Sequence, residues 1–532
     1  MNICMIVHNN GTRDGRVMRE AHVLQSAGHT VTVIGIPEAG VSEPLEVLTD
    51  GVKINRVNWY PKARRRLVRS ALVRAPLFLI LFGAIAYGVY RLVRLAPAEL
   101  PAVDRLSVPL SKGAEAGAYR GTAVAYALIS LAILAALYAL GRFLNARARE
   151  RDLVRRYVIS GAAQLAGPFP AIRSRIPDWL PDWSLEYAVE PLAWLGAKTG
   201  KFSLYRYRSE ELAATAIRLK PDLVHCHDCV ALPTGWLVKK ALGIPLVYDA
   251  HEIYEAVAAR RFGATDYFAR VHRKYLDRID GFIAVNDSAA SYYRHAYPAA
   301  PRAAVIRNAT DQGNLTAYDG RLHRAACLPS SEKILLYQGG YTRDRGLPIL
   351  VRSGPLLPDG WSLVMMGWGP LLGELKEIAA SMATAGRCAK VHFIPAAPAY
   401  ELLSWTQGAT AGIIPYEDKM LNHWIATPNK LWEYPGAGVP LIVQPFPEMR
   451  HVVETYRCGW LLPDELTPAG IADLVASLTD DMIAVAREGC RRFVEEDSWS
   501  AIYRKRLLDL YEDIERRTAG HRVEGAEISA MS

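Results

Sequence analysis

The sequence predicts an α/β protein in which two doubly wound parallel-sheet domains face a cleft and a hydrophobic helical hairpin is inserted in the N-terminal domain. Short β-branched runs alternate with helical patterns in two separate series, which is typical of parallel sheets with helices on both faces. A segment that interrupts the first series is both the most apolar and the most basic part of the protein. A chain of 532 residues can hold both domains and an insertion.

The predicted strands define the domain boundaries. The first series is 2–8, 30–36, 52–58, 222–226, 245–249, 281–285 and 303–306, and the second is 333–338, 362–366, 390–394, 411–415 and 439–443. The polar stretch 308–332 separates the two series and is interpreted as a linker. The predicted division is 1–60 with 206–312 for the N-terminal domain, 61–205 for the insert, 313–498 for the C-terminal domain, a helix at 499–515 and a disordered tail at 516–532.

The insert carries the basic character of the chain. Residues 61–160 hold 17 Lys or Arg and five Asp or Glu, whereas the whole chain has a net charge of +9. Uncharged runs of 16 and 21 residues occupy 75–90 and 121–141, and as helices they would reach about 24 and 31 Å. Their outer Arg-rich flanks favour the cytosolic side and anionic lipids, so a membrane hairpin is predicted and nucleic acid is not. The alternative is a pair of buried core helices.

The remainder of the insert and the cysteines give less specific signals. Residues 167–205 combine Pro with Trp and Tyr, which fits either a membrane interface or packing of the hairpin base on the first domain. Seven scattered Cys favour a reducing compartment. The run His225-Cys226-His227 is interpreted as a strand end rather than a metal site, because no second ligand cluster is evident in the sequence. We expect no cleavable signal peptide, since the first residues enter a strand directly.

Residues 427–434 read as the start of a helix directed at a phosphate group. Thr427 is a suitable N-cap and Pro428 fits the first helical position, which leaves the next N–H groups free to bind an anion. Lys430 adds a positive charge, and Glu433 is placed to accept hydrogen bonds from sugar hydroxyls. The alternative is a capped surface helix without a ligand.

These segments resemble, in order along the chain, the motifs of family 4 retaining glycosyltransferases, which have the two-domain GT-B fold. The resemblance covers about residues 1–57 and 210–515. Its motifs are the first helix and second strand at 14–21 and 28–33, the central His loop at 249–252, the interdomain segment at 306–311, the phosphate loop at 336–346 and the donor helix at 428–443. The resemblance implies that the helix at 499–515 crosses back to the first domain.

Two positions depart from the family pattern. The first Glu of a pair often found in the family falls at Ile425, which bears on the donor sugar more than on the reaction class. An Arg often found early in the phosphate loop falls at Gly340. Arg345 matches the second basic residue of that loop, and Arg343 is a candidate substitute for the first.

The resemblance assigns roles to residues that follow predicted strands. His251, Arg345 and Lys430 are the catalytic candidates, and His251 would contact the donor sugar or shape the reacting face, unless it is fixed by local packing. The donor-binding candidates are Gly339, Gly340, Arg343, Thr427, Pro428, Asn429 and Glu433, and the acceptor-loop candidates are Asn9, Gly11, Asp14 and Arg16. The two glycines would let the backbone approach phosphates or would simply form a tight turn. The sequence identifies no general base.

The resulting hypothesis is an inner-membrane glycosyltransferase with its catalytic domains in the cytoplasm. It would move a hexosyl group, with retention, from a nucleoside-diphosphate sugar to a lipid-linked acceptor in polysaccharide or glycolipid biosynthesis. We expect no cofactor and no metal, because helix N–H groups, Lys430 and Arg345 would stabilise the leaving diphosphate. The alternatives are a nucleotide-sugar epimerase of the same fold, which would not need a hairpin, and a non-catalytic membrane scaffold with a degenerate donor site.

Overall fold

A computed structural model describes residues 1–12, 14–38, 40–41, 43–59, 204–257, 264–311, 316–384 and 390–531. These residues belong to two compact units. The larger unit contains Met1–Ile36, Pro44–Val57 and Leu212–Ser532, and it holds both sheets. The smaller unit contains Pro37–Glu43 and Asn58–Glu211, and its described part includes an antiparallel bridge between Glu38 and Val41.

The first sheet has eight strands in the order β3-β4-β2-β1-β5-β6-β7-β8. The strands are β1 Asn2–Ile6, β2 Thr30–Gly35, β3 Leu45–Val47, β4 Lys53–Arg56, β5 Leu223–His227, β6 Leu246–Ala250, β7 Gly281–Ala284 and β8 Ala304–Val305. All neighbours pair in parallel except β3, which runs antiparallel to β4 at the edge. β1, β5 and β6 are buried almost throughout, as expected for central strands covered on both faces.

Helices connect these strands. They are α1 Gly15–Ser26, α2 Leu204–Arg218, α3 Leu232–Leu242, α4 Tyr254–Val257, α5 Ala264–Tyr275 and α6 Asp287–Ala296. The α1 helix begins where the Asp14 carboxylate accepts a hydrogen bond from the Val17 N–H, so the predicted loop residue Asp14 is an N-cap. In the same way, the Asn286 side chain caps α6.

The second sheet has six parallel strands in the order β11-β10-β9-β12-β13-β14. The strands are β9 Lys333–Gly340, β10 Trp361–Trp368, β11 Val391–Ile394, β12 Ala411–Ile414, β13 Leu441–Val443 and β14 Gly459–Leu461. The helices of this half are α7 Arg321–Ala325, α8 Leu347–Ser353, α9 Leu372–Thr384, α10 Leu402–Thr406, α11 Leu421–Trp424, α12 Lys430–Gly436, α13 Pro447–Tyr456, α14 Pro468–Ala476 and α15 Asp480–Glu496. The central position of β9 and β12 places their carboxyl ends side by side.

The chain returns to the first sheet, as the resemblance implied. A π-helical turn, Trp499–Tyr503, leads into α16, Arg504–Met531. Ile514 packs against Gly281 of β7, the Tyr511 hydroxyl contacts His225 Nδ1 at 2.8 Å, and Arg506 donates to the Val305 carbonyl at 3.0 Å. The helix continues to Met531, through most of the tail at 516–532 that the sequence predicted to be disordered. Extending an existing helix avoids the cost of nucleation, which explains the difference.

The predicted strands are all present, and the structure adds two short strands, β3 and β14, that the sequence pattern did not indicate. The predicted hairpin runs at 75–90 and 121–141 and the aromatic stretch up to residue 203 lie outside the described residues. Across the described ranges, none of the helices combines the length and the apolar character that a membrane crossing needs.

Candidate active site

The end of β9 lies directly beneath a buried lysine. Gly339 has φ +115°, and a Cβ atom built on it would lie 3.2 Å from Lys430 Nζ and 3.3 Å from Lys430 Cε. Lys430 is the first residue of α12 and is only 6 % exposed. Any side chain at residue 339 would therefore meet the lysine, so the glycine is required for close approach as well as for its backbone conformation.

Two tyrosine rings hold the basic groups of the site. Lys430 Nζ lies 5.1 Å from the centre of the Tyr337 ring and 5.8 Å from that of Tyr416. The Arg345 guanidinium lies 5.4 Å from the centre of the Tyr416 ring. Ring faces attract cations, so the rings position both groups without neutralising them. Within the described part of the chain, neither Lys430 nor Arg345 forms an ion pair with a carboxylate.

Glu433 lies one turn further along α12 and is held from β9. Its Oε2 accepts a hydrogen bond from Gln338 Nε2 at 2.8 Å, and Gln338 Oε1 in turn accepts one from the Thr406 hydroxyl at 2.7 Å. Burial raises the pKa of Glu433, whereas the Gln338 hydrogen bond and the nearby Lys430 and Arg19 cations oppose that rise. Arg19 belongs to α1, so Glu433 is influenced by both halves of the larger unit.

The helix cap predicted at Thr427 is wrong by two residues, because the observed cap position is Asn429. The α12 helix begins at Lys430 after a turn in which the Leu431 N–H donates to the Pro428 carbonyl at 2.9 Å, and Asn429 stands at the cap position without a side-chain capping bond. The Thr427 hydroxyl instead accepts a hydrogen bond from Asn286 Nδ2 at 3.2 Å. Because Asn286 belongs to the first sheet's half, Thr427 connects the two halves rather than capping the helix.

The two positions that depart from the family pattern are Ile425 and Gly340, and Gly340 is the last residue of β9, where its carbonyl accepts a hydrogen bond from the Tyr337 hydroxyl at 3.1 Å. Ile425 is buried, and its carbonyl accepts a hydrogen bond from Asn286 Nδ2 at 2.7 Å. Arg343 lies in the loop after β9 but is exposed, whereas Arg345 in the same loop packs on a tyrosine ring. The basic groups at this loop are therefore Arg345 and Lys430, and the proposed substitution by Arg343 has no contact to support it in the described part of the chain.

In the first half, His251 lies between two carboxylates just beyond β6. His251 Nδ1 is 3.1 Å from Asp228 Oδ1, and His251 Nε2 is 3.1 Å from Asp249 Oδ2. Burial alone would lower the pKa of His251, but the two carboxylates raise it to about 10. Carboxylates only accept hydrogen bonds, so both ring nitrogens act as donors here. Two residues later, the Ile253 N–H donates to Asn422 Oδ1 at 2.9 Å, which joins this loop to the segment before α12.

Arg16 is a buried residue that organises this half rather than an open acceptor contact. Its guanidinium donates to both oxygens of Asp249 at 2.7 and 2.9 Å and to the Ile306 carbonyl and Asn308 Oδ1 at 2.8 and 3.1 Å. Burial would raise the pKa of Asp249, but Arg16 and His251 hold it well below its usual range. Arg16 therefore fixes the carboxylate that orients His251.

The loop before α1 is ordered by its own polar groups. Asn9 Oδ1 accepts from the Gly11 N–H at 2.8 Å, and Asn9 Nδ2 donates to Asp14 Oδ2 at 2.8 Å. Gly11 has φ +79°, and a Cβ atom there would lie 3.3 Å from Val33. The loop lies at the carboxyl end of β1, where ligands of parallel sheets bind, so its acceptor role stays a prediction.

A group of potential metal ligands lies behind His251. Glu20, His225, His227 and Asp249 each offer one ligand atom, and these atoms all lie within 4.8 Å of one another. Glu20 comes from α1 and Asp249 from β6, so the folded chain supplies the second set of ligands that the sequence around His225 lacked. The four side chains are buried, which distinguishes the group from exposed acidic clusters.

Several site residues escaped the sequence reasoning. The tyrosines that hold the cations and Gln338 beside Glu433 read as ordinary residues of β9 or of the turn after β12. Asp228, Asp249 and Glu20 were not assigned roles, although Asp228 and Asp249 stand at strand ends. Position at the end of a parallel strand was the signal available for Asp228, Asp249 and Tyr416. Glu20 offered none, since it lies within a helix.

Two protein-family models match separate parts of the chain. Residues 172–313 match the family described as Glycosyltransferase Family 4, and residues 332–481 match the one described as Glycosyl transferases group 1. Among curated proteins, the D-inositol 3-phosphate glycosyltransferase of Thermobispora bispora is 24% identical over 313 residues, covering 56% of this chain and 71% of that protein. The enzyme of the same description from Salinispora tropica is 24% identical over 371 residues, covering 64% and 74%.

Solved structures show the same fold at low identity. Sucrose-phosphate synthase from Thermosynechococcus elongatus superimposes with a TM-score of 0.59 at 13% identity, covering 98% of this chain and 100% of that one. A glycosyltransferase from Rickettsia africae gives 0.53 at 13% identity, covering 96% and 98%. At these identities the similarity supports the fold, and it gives no information about the substrates of this chain.

Proposed function

We propose, from the premise that this chain is a GT-B-like glycosyltransferase with family 4 and group 1 domains, that it transfers a hexosyl group from a nucleoside-diphosphate sugar to a lipid-linked acceptor. The transfer would retain the anomeric configuration. The carrying observation is the pair of basic side chains, Lys430 and Arg345, held over the glycine end of β9 by two tyrosine rings. An epimerase is disfavoured by both family matches.

The unneutralised charge is what suits this site to a diphosphate. Among the described residues, Lys430 has no carboxylate within ion-pair distance, and a buried ammonium group in that position favours an anionic ligand. When the sugar–phosphate bond breaks, negative charge develops on the leaving diphosphate, and fixed cations stabilise it without reorganising. Lys430 and Arg345 would supply that stabilisation without a divalent ion at the diphosphate. The seven-residue helix that follows makes a smaller contribution than the sequence suggested.

The other donor contacts follow from the same strand end. Glu433 would accept hydrogen bonds from ribose hydroxyls, and Gln338 fixes its carboxylate from below. His251, whose ring is fixed by Asp228 and Asp249 at its two nitrogens, would contact the donor sugar or shape the reacting face. Retention is supported by the resemblance to family 4 enzymes and by no contact described above. One solved structure of this fold, from E. coli, was determined with UDP-2-fluoro glucose bound. A uridine diphosphate sugar is therefore included among the donors in the activity test described below.

The acceptor proposal rests on the sequence of the insert. Two uncharged runs flanked by arginines at 61–160 would place the protein at the inner membrane with its catalytic half in the cytoplasm, where lipid-linked acceptors are accessible. The test of attachment is sedimentation of the full-length protein with membranes in high salt. Apolar insertion survives salt, whereas attraction of a basic surface to headgroups is screened. Release of nearly all the protein by salt would reject the hairpin.

Activity can be tested with one matched set of incubations. The membrane-bound protein is incubated with radiolabelled nucleotide sugars and either a total lipid extract or D-inositol 3-phosphate, the acceptor that the names of the curated relatives indicate. Transfer of label to the lipid phase is the expected result. Transfer only to the soluble polyol phosphate would reject the lipid-linked acceptor while retaining the enzyme class. Nucleotide binding without transfer in either arm would indicate the non-catalytic scaffold.

A further inference from the structure

The buried group behind His251 combines ligands from three elements of the first half. His225 and His227 are two residues apart on β5, so their side chains project from the same face of the strand. Their rings stack with centres 4.2 Å apart. Glu20 faces them from α1, and His225 Nε2 lies 3.9 Å from Glu20 Oε2. All three side chains are at most 1 % exposed.

Outer hydrogen bonds direct one nitrogen of each ring toward Glu20. His225 Nδ1 is 2.8 Å from the Tyr511 hydroxyl, and His227 Nδ1 is 3.3 Å from Asp249 Oδ2. His227 Nδ1 also lies 3.3 Å from His251 Nε2. In the tautomer that donates from Nδ1 to Asp249, His227 Nε2 presents a lone pair. Partners of this kind on the far nitrogen are what fix the orientation of a metal-binding histidine.

The inner atoms of this group are left without donors. Among the residues that the structure describes, Glu20 Oε1, Glu20 Oε2, His225 Nε2 and His227 Nε2 have no hydrogen-bond partner. The cation beside Glu20 is Arg16, whose Nε lies 3.4 Å from Glu20 Oε1. This Nε–H already donates its hydrogen bond to Asp249, at 2.7 Å. When both histidines carry their proton on Nδ1, acceptors face acceptors in a site that bulk water does not reach, and such an arrangement requires a cation or a proton between them.

We propose that Glu20, His225 and His227 bind a divalent transition metal ion, Zn²⁺ by their chemistry, with Asp249 as the outer carboxylate that orients His227. Two imidazoles and one carboxylate form a familiar zinc donor set, which leaves the fourth position to a water molecule. A tetrahedral site with bonds of about 2.0–2.2 Å has donors roughly 3.3–3.5 Å apart. The present spacing of up to 4.8 Å would need small side-chain movements to close.

The ion would have a structural role that is independent of the donor site. It would join α1 to β5 and, through the Tyr511–His225 contact, to the returning helix α16. The ion would also lie close to His251, because Asp249 contacts the rings of both His227 and His251. This departs from the expectation of a protein without metal, which rested on the absence of a second ligand cluster in the sequence. The proposal does not depend on the identity of the sugar donor or acceptor.

Metal content of the full-length protein is the primary test. The protein is purified in detergent with a tag that does not bind metals, and zinc is measured by mass spectrometry before and after chelation and reconstitution. We expect about one ion per chain. X-ray absorption at the zinc edge should show imidazole and oxygen neighbours without sulfur. Absence of near-stoichiometric zinc or cobalt after reconstitution would overturn the proposal, as would sulfur scattering, because the buried Cys226 and Cys229 would then be the ligands.

A matched pair of variants assigns the site. His227→Gln should abolish stoichiometric binding, whereas His272→Gln should retain it. His272 is an equally buried histidine whose nitrogens are already bound, to the Tyr248 hydroxyl at 2.9 Å and Glu255 Oε1 at 2.7 Å. Full metal content in His227→Gln would overturn the proposal. If that variant does not fold, the wild-type absorption spectrum still decides the ligands.

Discussion

Replacing Lys430 by Met should separate catalysis from stability. The ammonium group is buried against two tyrosine rings and has no carboxylate in ion-pair range within the described residues. Methionine conserves most of the apolar stem and removes only the charge. The substitution removes a cation–π attraction of about 0.5–2 kcal/mol, but it also removes the free-energy cost of burying a charged ammonium group, and the two effects oppose each other. We therefore expect stability to change by about 1 kcal/mol or less, or ~2–4 °C in Tm.

The rate should respond much more strongly than the stability. One fixed charge that acts on a developing oxyanion contributes roughly 2–4 kcal/mol to the transition state. At about 1.4 kcal/mol per tenfold change, this corresponds to a fall in kcat of about thirtyfold to nearly a thousandfold. Binding of the nucleoside diphosphate should weaken as well, whereas binding of the nucleoside alone should change little, because it lacks the phosphates that Lys430 would contact.

The assay compares kcat with the two binding constants measured by calorimetry. Lys333→Met provides the matched control, because Lys333 lies 5.8 Å from the Trp361 ring in the same domain but is paired with Asp480 at 2.6 Å, away from the site. The control should leave kcat unchanged. Equal weakening of nucleoside and nucleoside diphosphate by Lys430→Met, or an unchanged kcat, would refute the assignment of Lys430 to the diphosphate.

Three further substitutions test other contacts. Gly339→Ala should reduce the affinity for the nucleoside diphosphate, because the new methyl group would lie 3.2 Å from Lys430 Nζ. Gly360→Ala is the control: Gly360 also has a positive φ, but the space around it is open, so this substitution should leave the affinity unchanged. Arg307→Met should lower the free energy of unfolding by roughly 3 kcal/mol, because it removes the cation that pairs with the buried Glu448 carboxylate. Adding Glu448→Gln should restore part of this loss in thermal unfolding, and equal Tm values for the single and double variants would contradict the prediction. Glu433→Gln should weaken nucleoside and nucleoside-diphosphate binding by the same factor, about tenfold or more, and a loss confined to the diphosphate would exclude the ribose contact.

Local patterns were sufficient for the sheets and for the residues at strand ends. Strand periodicity located β1 and β9, and parallel topology placed Gly339 and His251 at the edge where ligands bind. Cap chemistry explains Asp14, which caps the helix that begins at the next residue, although the sequence indicated Asp14 only as an acceptor-loop residue. The same reasoning failed at Thr427, because Asn286, which is distant in sequence, binds its hydroxyl. A cap preference is weak enough for one such contact to override it.

The contacts that define the chemistry of the site could not be read from neighbouring residues. Tyr337 has the profile of a core strand residue, and only the adjacency of β9 and β12 brings it together with Tyr416 and Lys430. Likewise, Glu20 occupies a position on α1 that periodicity assigns to the core. Its relation to His225 depends on how closely that helix packs on the sheet. Such pairings depend on register and tertiary approach, which carry no local sequence signal.

The returning helix α16 affects how the protein is made in the cell. Its contacts with the first sheet join residues 201, 237 and 286 positions apart, at Val305, Asp280 and His225. At a synthesis rate of ~5–20 residues per second, the sheet would wait roughly 10–60 s on the ribosome before this helix emerges to cover it. During that interval an apolar surface beside Gly281 is open to chaperones. Chains truncated before residue 504 would lack this helix, so we expect them to aggregate or to be degraded rather than to retain partial activity.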